Sequence, residues 1–210
     1  MEMLSMGLVM LRKIKFCFVA VATVCVLAAC ALGDGRPPAV QYDLGPLKLE
    51  NQGNLPVNIP VISTKVHAPD WMNENSMFYR LDYINDQQIR FYTESSWNTS
   101  PSRLFRNRLD ACLVATGNAV ADVKTSSSAL VLRIYLEDFS QHFTSPSDSV
   151  SRIALRASLF KGHDLIAQKK FQKDVASQTA DAQGGARAMA QNSDELIVEI
   201  MNWLAEMNRR

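Results

Sequence analysis

The side chains best suited to chemistry are spread along this sequence and do not group at catalytic or metal-ligand spacing. His67, His142 and His163 are far apart, and no two histidines or cysteines stand three or four positions from each other. Zinc and similar ions are commonly held by such pairs, so we interpret each histidine as a surface or loop residue. The acidic pairs Glu137-Asp138 and Asp194-Glu195 place neighbouring carboxylates on different faces and are typical of solvated charge.

Motifs of the common enzyme classes are also missing from the sequence. There is no G-x-x-x-x-G-K-S/T phosphate loop and no G-x-S-x-G nucleophile turn, and Gly184-Gly185 lacks the three-glycine dinucleotide fingerprint. Cys112 falls on the apolar face of a predicted helix, which favours a small buried residue over a nucleophile. We therefore predict no catalytic residue, no metal site and no cofactor. An exported hydrolase that uses Cys112 or the acidic pairs is the weakest alternative.

The N-terminal residues predict export from the cytoplasm. A basic cluster at positions 12–15 precedes an apolar stretch over residues 16–29 that is broken by a single threonine. These 14 residues span roughly 21 Å as a helix, which is short of the ~30 Å hydrocarbon core of a bilayer. A charged start, a short apolar stretch and small residues at its end are typical of a secretory signal peptide. Met1 and Met10 are both candidate starts, and Met10 gives the more compact signal.

Cys30 ends this segment in a pattern that predicts an attachment point. Leu27-Ala28-Ala29-Cys30 resembles the bacterial lipobox, in which small residues precede a cysteine that receives lipid. The lipoprotein signal peptidase would cut between Ala29 and Cys30. A diacylglycerol and an N-acyl chain on Cys30 would anchor stably, because each buried methylene contributes about 0.8 kcal/mol. By resemblance to the bacterial sorting rule, Ala31 in place of aspartate favours the outer membrane. The alternative is an ordinary signal peptide followed by a cysteine.

Composition and charge limit what the rest of the chain can be. The 210 residues are 47% apolar and carry a net charge of +1, which suits one domain with its own core and gives no basic field for nucleic acid. Removal of residues 1–29 and lipidation of Cys30 leave only Cys112, so no intramolecular disulfide is expected. Residues 30–40 then form a tether that reaches about 35 Å at most, and residues 41–210 form the periplasmic domain.

Hydrophobic periodicity predicts two helices and a sheet. A helix over about 100–116 begins at Ser100-Pro101, and a second over about 181–207 is capped by Asp181. The predicted strands cover residues 42–44, 57–68, 77–84, 89–94, 130–136, 153–159 and 165–175, with loops at 51–56 and 140–149 and turns at 85–86 and 161–164. The fold class that we predict is α+β, a single domain with a mixed, largely antiparallel β-sheet packed by the two helices.

Seven aromatic residues crowd into residues 71–97. A packed core with a sheet edge explains such a cluster, and a ligand-binding surface would use similar residues. We favour the core. An exposed Trp71 or Tyr79 would instead mark an interface, because aromatic side chains are common anchors in protein–protein contacts.

Several short motifs occur in an order that resembles a known family. They are Tyr42-Asp43-Leu44-Gly45-Pro46, Ala68-Pro69-Asp70-Trp71-Met72, Met77-x-Tyr79-Arg80, Trp97-x-x-x-Pro101, Asp181-x-x-Gly184-Gly185-Ala186 and Trp203-Leu204. Together they extend over residues 41–205 and resemble the ABC-type transport auxiliary lipoprotein family. The sequence departs from the family at Ser96, where members commonly carry an arginine.

The resemblance implies a non-catalytic partner of a lipid transport system. Such lipoproteins accompany an inner-membrane permease and ATPase and a periplasmic protein with Mce domains, and they would dock at the outer-membrane end. We expect this domain to receive or position the Mce protein, whereas contact with phospholipid and formation of a homo-oligomer stay open. The alternative is an outer-membrane lipoprotein that scaffolds or activates cell-wall enzymes.

Overall fold

The computed structural model describes residues 39–47, 59, 62–117, 120 and 130–209. Within them, helix α1 spans Pro101–Ala115 and helix α2 spans Ala182–Asn208, which confirms both predicted helices. Proline suits the first position of α1, because the N–H that it lacks would have no partner within the helix. None of the helices in these described ranges is long and apolar enough to cross a membrane. The predicted signal peptide, Cys30 and the loop 51–56 lie outside them.

In the described part of the chain, seven strands form one sheet. They are β1 (Val40–Tyr42), β2 (Ile62–His67), β3 (Ser76–Leu81), β4 (Asn85–Trp97), β5 (Leu130–Phe143), β6 (Ser149–Lys161) and β7 (Asp164–Ala176). The order is β1-β4-β3-β5-β6-β7, and β2 pairs with the first half of β5 while β3 pairs with its end. β1–β4, β2–β5 and β3–β5 are parallel, and the longer ladders β5–β6 and β6–β7 are antiparallel. The predicted α+β class with a mixed sheet is confirmed.

Both helices pack on one face of the sheet, which we call the inner face. Leu132, Ile134 and Leu136 of β5 face it and are at most 1% exposed, whereas Arg133 and Tyr135 between them are exposed on the outer face. This alternation follows from the two-residue repeat of a strand. α2 lies against β5, β6 and β7, and α1 lies against β2 and touches α2.

Strand boundaries differ from prediction where polar residues hide the alternation. The loop predicted over 140–149 is confined to residues 144–148, because β5 continues to Phe143. Its outer positions Ser140 and His142 bond to one another and to carboxylates, so the strand contains few apolar residues there. The turn predicted at 85–86 lies at 82–84, where Ile84 N donates to Leu81 O at 2.9 Å. The first strand ends at Tyr42 rather than beginning there.

Candidate partner-binding groove

The first motif of the resemblance forms one wall of a groove. β1 runs parallel to the end of β4, and Asn98 N donates to Tyr42 O at 2.8 Å. The Asp43 carboxylate then accepts a hydrogen bond from Gly45 N at 2.7 Å. This turn requires glycine, because Gly45 has a φ of +65°. The carbonyls of Gly45 and Pro46 follow, and both accept hydrogen bonds from α1.

Arg108 of α1 lies at the base of the groove and joins three segments of the chain. Its guanidinium donates to Gly45 O at 2.8 Å and to Pro46 O at 3.3 Å. The same group binds the Asp194 carboxylate of α2 through Nε–Oδ1 at 2.5 Å and Nη2–Oδ2 at 2.7 Å. The side chains are only 7% and 14% exposed. A planar fork of donors with four acceptors fixes both the distance and the orientation of its partners.

The interpretation of Asp194 as solvated charge is wrong, because this carboxylate pairs with Arg108 in a largely buried position. Sequence reasoning also missed Arg108. One signal for it exists: Arg108 stands four positions after Leu104 and four before Cys112, and both of these are core residues. A charge on the apolar stripe of a helix must find a partner, since burying it unpaired is costly.

The start of α2 forms the opposite wall. The Asp181 carboxylate accepts from Gly184 N at 2.7 Å and from the Thr179 hydroxyl at 2.8 Å, and these bonds hold its pKa below the usual value. A Cβ on Gly184 would lie 2.1 Å from Thr179 O, and one on Gly185 would lie 2.2 Å from the Gln141 side chain. The Gly-Gly pair is therefore explained by close packing of α2 on the strand connection and on β5, and not by a bound nucleotide.

The groove between these walls has a volume of about 920 Å³. Its lining is rich in groups that carry charge or hydrogen-bonding capacity; Asp43, Arg187 and Gln191 are exposed, and Glu195 is half-buried. An acyl chain in such a groove would strip water from these groups without replacing their hydrogen bonds. A polypeptide could replace them, because its backbone and side chains supply both donors and acceptors.

Most of the other motif residues belong to the core. Trp97 is 2% exposed, and Trp203 packs edge-on against Phe171 with ring centroids 5.9 Å apart. Pro101 is buried at the start of α1. Tyr79 is half-buried against Tyr92, at 4.7 Å between ring centroids.

The remaining motif residues lie near the surface and do not line the groove. Trp71 is 40% exposed and its ring contacts Phe78 at 5.1 Å, while Arg80 donates to Asp86 O at 3.0 Å. The predicted packed core with a sheet edge thus holds for Trp97, which is buried, and for Phe91, which is 58% exposed on β4 outside the stretch that pairs with β1, whereas Trp71 is exposed away from the sheet. By the criterion given above, Trp71 is an interface candidate apart from the groove.

His142 lies in a second ionic cluster, on the outer face. Its Nδ1 is 2.9 Å from Asp82 Oδ2 and its Nε2 is 3.0 Å from Asp138 Oδ2. The side chain is only 5% exposed, so the prediction of a surface or loop histidine is wrong, and so is that of a solvated Asp138. Burial opposes the charged imidazole, but the bonds to Asp138 and Asp82 outweigh it and raise the pKa of His142.

Ser140, His142 and Asp82 are arranged in the order of a Ser-His-Asp triad. The Ser140 hydroxyl lies 3.1 Å from His142 Nε2. However, the same hydroxyl donates to Asp138 Oδ1 at 2.5 Å, and Ser140 is only 1% exposed. A nucleophile must reach a substrate, so this cluster is better explained as a structural network. No group of three potential metal ligands suited to an ion occurs among the residues described.

Cys112 is fully buried in α1. Burial, followed by the negative charge of Asp194, raises the pKa of its thiol to about 11. A thiol of this kind is protonated at neutral pH and is a poor nucleophile. The prediction of a small buried residue is confirmed.

Comparison with known proteins identifies the fold. No family model matches the sequence, and no curated protein is significantly similar to it. Protein XCC0632 of Xanthomonas campestris, of the DUF330 family, superposes with a TM-score of 0.71 at 18% identity over 81% of this chain and 97% of its own. An uncharacterized protein gives 0.63 at 18% identity over 80% and 99%. A minor lipoprotein from Acinetobacter baumannii gives 0.45 at 12% identity over 72% and 95%, which is too low to carry an inference. The first two share the fold of this chain.

Proposed function

We propose that this chain is a lipoprotein of the outer membrane, facing the periplasm, and a non-catalytic auxiliary component of an ABC/Mce-type lipid transport system. In this role it resembles paraquat-inducible protein C, a member of the family named above. The groove docks the Mce-domain protein at the outer-membrane end of the transport path. Cys30 supplies the anchor, and the tether over residues 30–40 keeps the domain within about 35 Å of its membrane.

The observation that carries this proposal is the convergence of two distant motifs on one groove. Tyr42-Asp43-Leu44-Gly45-Pro46 and the segment that begins at Asp181 stand near the two ends of the domain, yet they form facing walls. Arg108 holds both walls through Gly45 and Asp194. The polar groups that hold the walls together already have hydrogen-bond partners within the domain. The groove is therefore a preorganised surface, which loses little conformational entropy when a partner binds.

The polar lining favours a protein partner over a phospholipid in this groove. Asp43 and Glu195 offer acceptors, and Arg187 offers donors, across an opening that solvent reaches. Such groups suit hydrogen bonds to a protein segment, of which an interface of standard size has about ten. Scaffolding of cell-wall enzymes would use the same groove with a different protein, and self-association would fill it with a second copy of this chain.

Envelope pull-down with a groove-blocking variant tests the proposal. Gln191→Trp places a bulky side chain on the groove-lining face of α2, and Asn202→Trp places the same side chain at an exposed position of α2 outside the groove. We expect the lipidated native chain and the Asn202 variant to recover an Mce-domain protein. The Gln191 variant should recover at least about tenfold less, which corresponds to a loss of 1.4 kcal/mol or more. Both variants need unchanged circular dichroism.

Three outcomes contradict parts of the proposal. Recovery of peptidoglycan-active enzymes in place of an Mce protein would favour the scaffold. Equal recovery by both tryptophan variants would place the contact outside the groove. In the same extracts, Cys30→Ser should lose lipid labelling and leave the membrane fraction while the domain stays folded, and continued membrane partition of that variant would refute the lipid anchor.

A further inference from the structure

The outer face of the sheet carries cations arranged in two neighbouring rows. Pairing places Lys65 beside Arg133, and in the next row it places Tyr135 beside Arg156 and Arg156 beside Lys170. Adjacent strands lie about 4.8 Å apart and alternate residues about 7 Å apart along a strand. The four cations therefore share a patch roughly 15 Å across, which we call the basic patch.

The basic patch is only partly neutralised by protein carboxylates. Glu137 lies 3.8 Å from both Arg156 and Lys170, and a distance of that length in exposed groups is a weak interaction. Lys65 and Arg133 form no ion pair within the described part of the chain. Arg133 instead lies over the Phe160 ring at 4.4 Å, where it stays exposed on the flat surface of the sheet.

An exposed aliphatic residue adjoins the basic patch where β6 turns into β7. Leu165 is 53% exposed. It pairs with Phe160, next to the row that contains Arg133. Its neighbour Ile166 instead lies towards Leu204 and Met207 on the inner side. Cations beside a protruding aliphatic side chain suit the membrane interface, where phosphates lie just outside the acyl chains.

We propose that the basic patch and the β6–β7 turn bind an anionic phospholipid leaflet, with Leu165 inserted among the headgroups. Charge complementarity identifies the occupant: a leaflet presents many phosphates in a plane, and the cations lie on four neighbouring strands of an extended sheet. The inner face, with the groove, would then point away from the bilayer and towards a periplasmic partner. The inference shares only the membrane anchor with the proposed function, because lipid contact here does not involve the groove.

Quenching of tryptophan by brominated lipids tests the proposal in the full chain reconstituted into vesicles. Leu165→Trp reports on the β6–β7 turn, and Val114→Trp, at a 60% exposed position of α1, is the matched control on the other side of the molecule. The native chain gives the background from its own tryptophans. In vesicles with phosphatidylglycerol, we expect Leu165→Trp to lose roughly half of its added emission, as suits insertion into the interface, and Val114→Trp to lose none.

Charge reversal distinguishes binding through the basic patch from closeness to the membrane that the lipid anchor alone would impose. Arg133→Glu together with Lys170→Glu should abolish the quenching of Leu165→Trp, since each cation near the surface contributes about fivefold to lipid binding. Arg106→Glu, on α1, should not change it. Vesicles of phosphatidylcholine alone, or about 0.5 M salt, should also remove it. Equal quenching at positions 165 and 114, or quenching that ignores phosphatidylglycerol, would overturn the proposal. The quenching experiment contains no Mce protein, so its result does not depend on whether the envelope pull-down succeeds.

Discussion

The Arg108–Asp194 pair and the His142 cluster lie on opposite faces of the sheet. Each of them holds ionic groups that are largely buried. Arg108 joins α1 to α2 across 86 residues of sequence, and His142 joins the end of β5 to the end of β3 across 60. Both are tertiary links rather than local ones. Loss of either should therefore weaken the contact between elements that are far apart in the sequence.

The two clusters differ in how their charge responds to pH. An imidazole can change its charge near neutral pH, whereas a guanidinium cannot. Burial opposes the charged form of His142, but its hydrogen bonds to Asp138 and Asp82 outweigh this and raise its pKa above the ordinary value. The link on the outer face therefore varies with pH.

The largest expected effect comes from breaking the Arg108–Asp194 pair. Arg108→Met leaves the Asp194 carboxylate buried without its partner and frees the Gly45 and Pro46 carbonyls. We expect the free energy of unfolding to fall by about 3–5 kcal/mol, as for other buried pairs that lose one member. Urea denaturation at neutral pH measures it.

The double variant Arg108→Met with Asp194→Leu is the control for this loss. Removing both charges removes the desolvation penalty, so most of the lost stability should return. A single variant that costs less than about 1 kcal/mol would mean that the pair behaves as a surface ion pair and does not organise the groove.

A smaller, pH-dependent effect is expected from the second cluster. His142→Gln removes the charge that Asp82 and Asp138 bind, and we expect a loss of about 1–3 kcal/mol at pH 6. The folded pKa of His142 is raised above its unfolded value near 6.5. Its contribution is therefore fully present below about pH 6.5 and is lost as the pH rises through the folded pKa. Urea denaturation over pH 5.5–9 measures the difference between the two proteins.

The gap between the native chain and His142→Gln should accordingly narrow as the pH increases. Titration of the His142 ring by NMR should give a pKa above the ordinary value, and Asp138→Asn should lower it. A gap that stays constant, or widens, with increasing pH would contradict the assignment of a charged histidine between two carboxylates.

The two clusters also show which parts of the structure could be predicted from the sequence and which could not. The helices, the hairpin at residues 161–164 and the alternation of β5 and β6 follow from the apolar repeat, which depends on neighbouring residues alone. The groove cannot be predicted in this way, because Arg108 joins its walls through Gly45 and Asp194, and no periodicity connects residues so far apart. The motifs of the resemblance include both segments, but the sequence does not show that these segments face each other.

The burial of His142 could not be predicted from the sequence either. Ser140, Gln141 and His142 look like a polar loop because polar residues usually lie in water. In the fold they occupy a buried strand end, where each polar group has a partner: Gln141, for instance, accepts from the Tyr92 hydroxyl at 2.9 Å. Polar residues that satisfy one another in a strand carry no hydrophobic signal, so only tertiary structure shows them as buried.

The smallest effect is expected where the ion pair is exposed, which makes it the reference for the other two. Arg106 and Asp110 are one helical turn apart on α1, at 3.6 Å, with side chains 52% and 27% exposed. Arg106→Ala should change the free energy of unfolding by no more than about 0.5 kcal/mol, because water screens the pair and alanine favours the helix. Urea denaturation beside Arg108→Met measures both. Since the two arginines lie two residues apart on the same helix, a comparable loss in both would show that burial of the charge does not determine the cost.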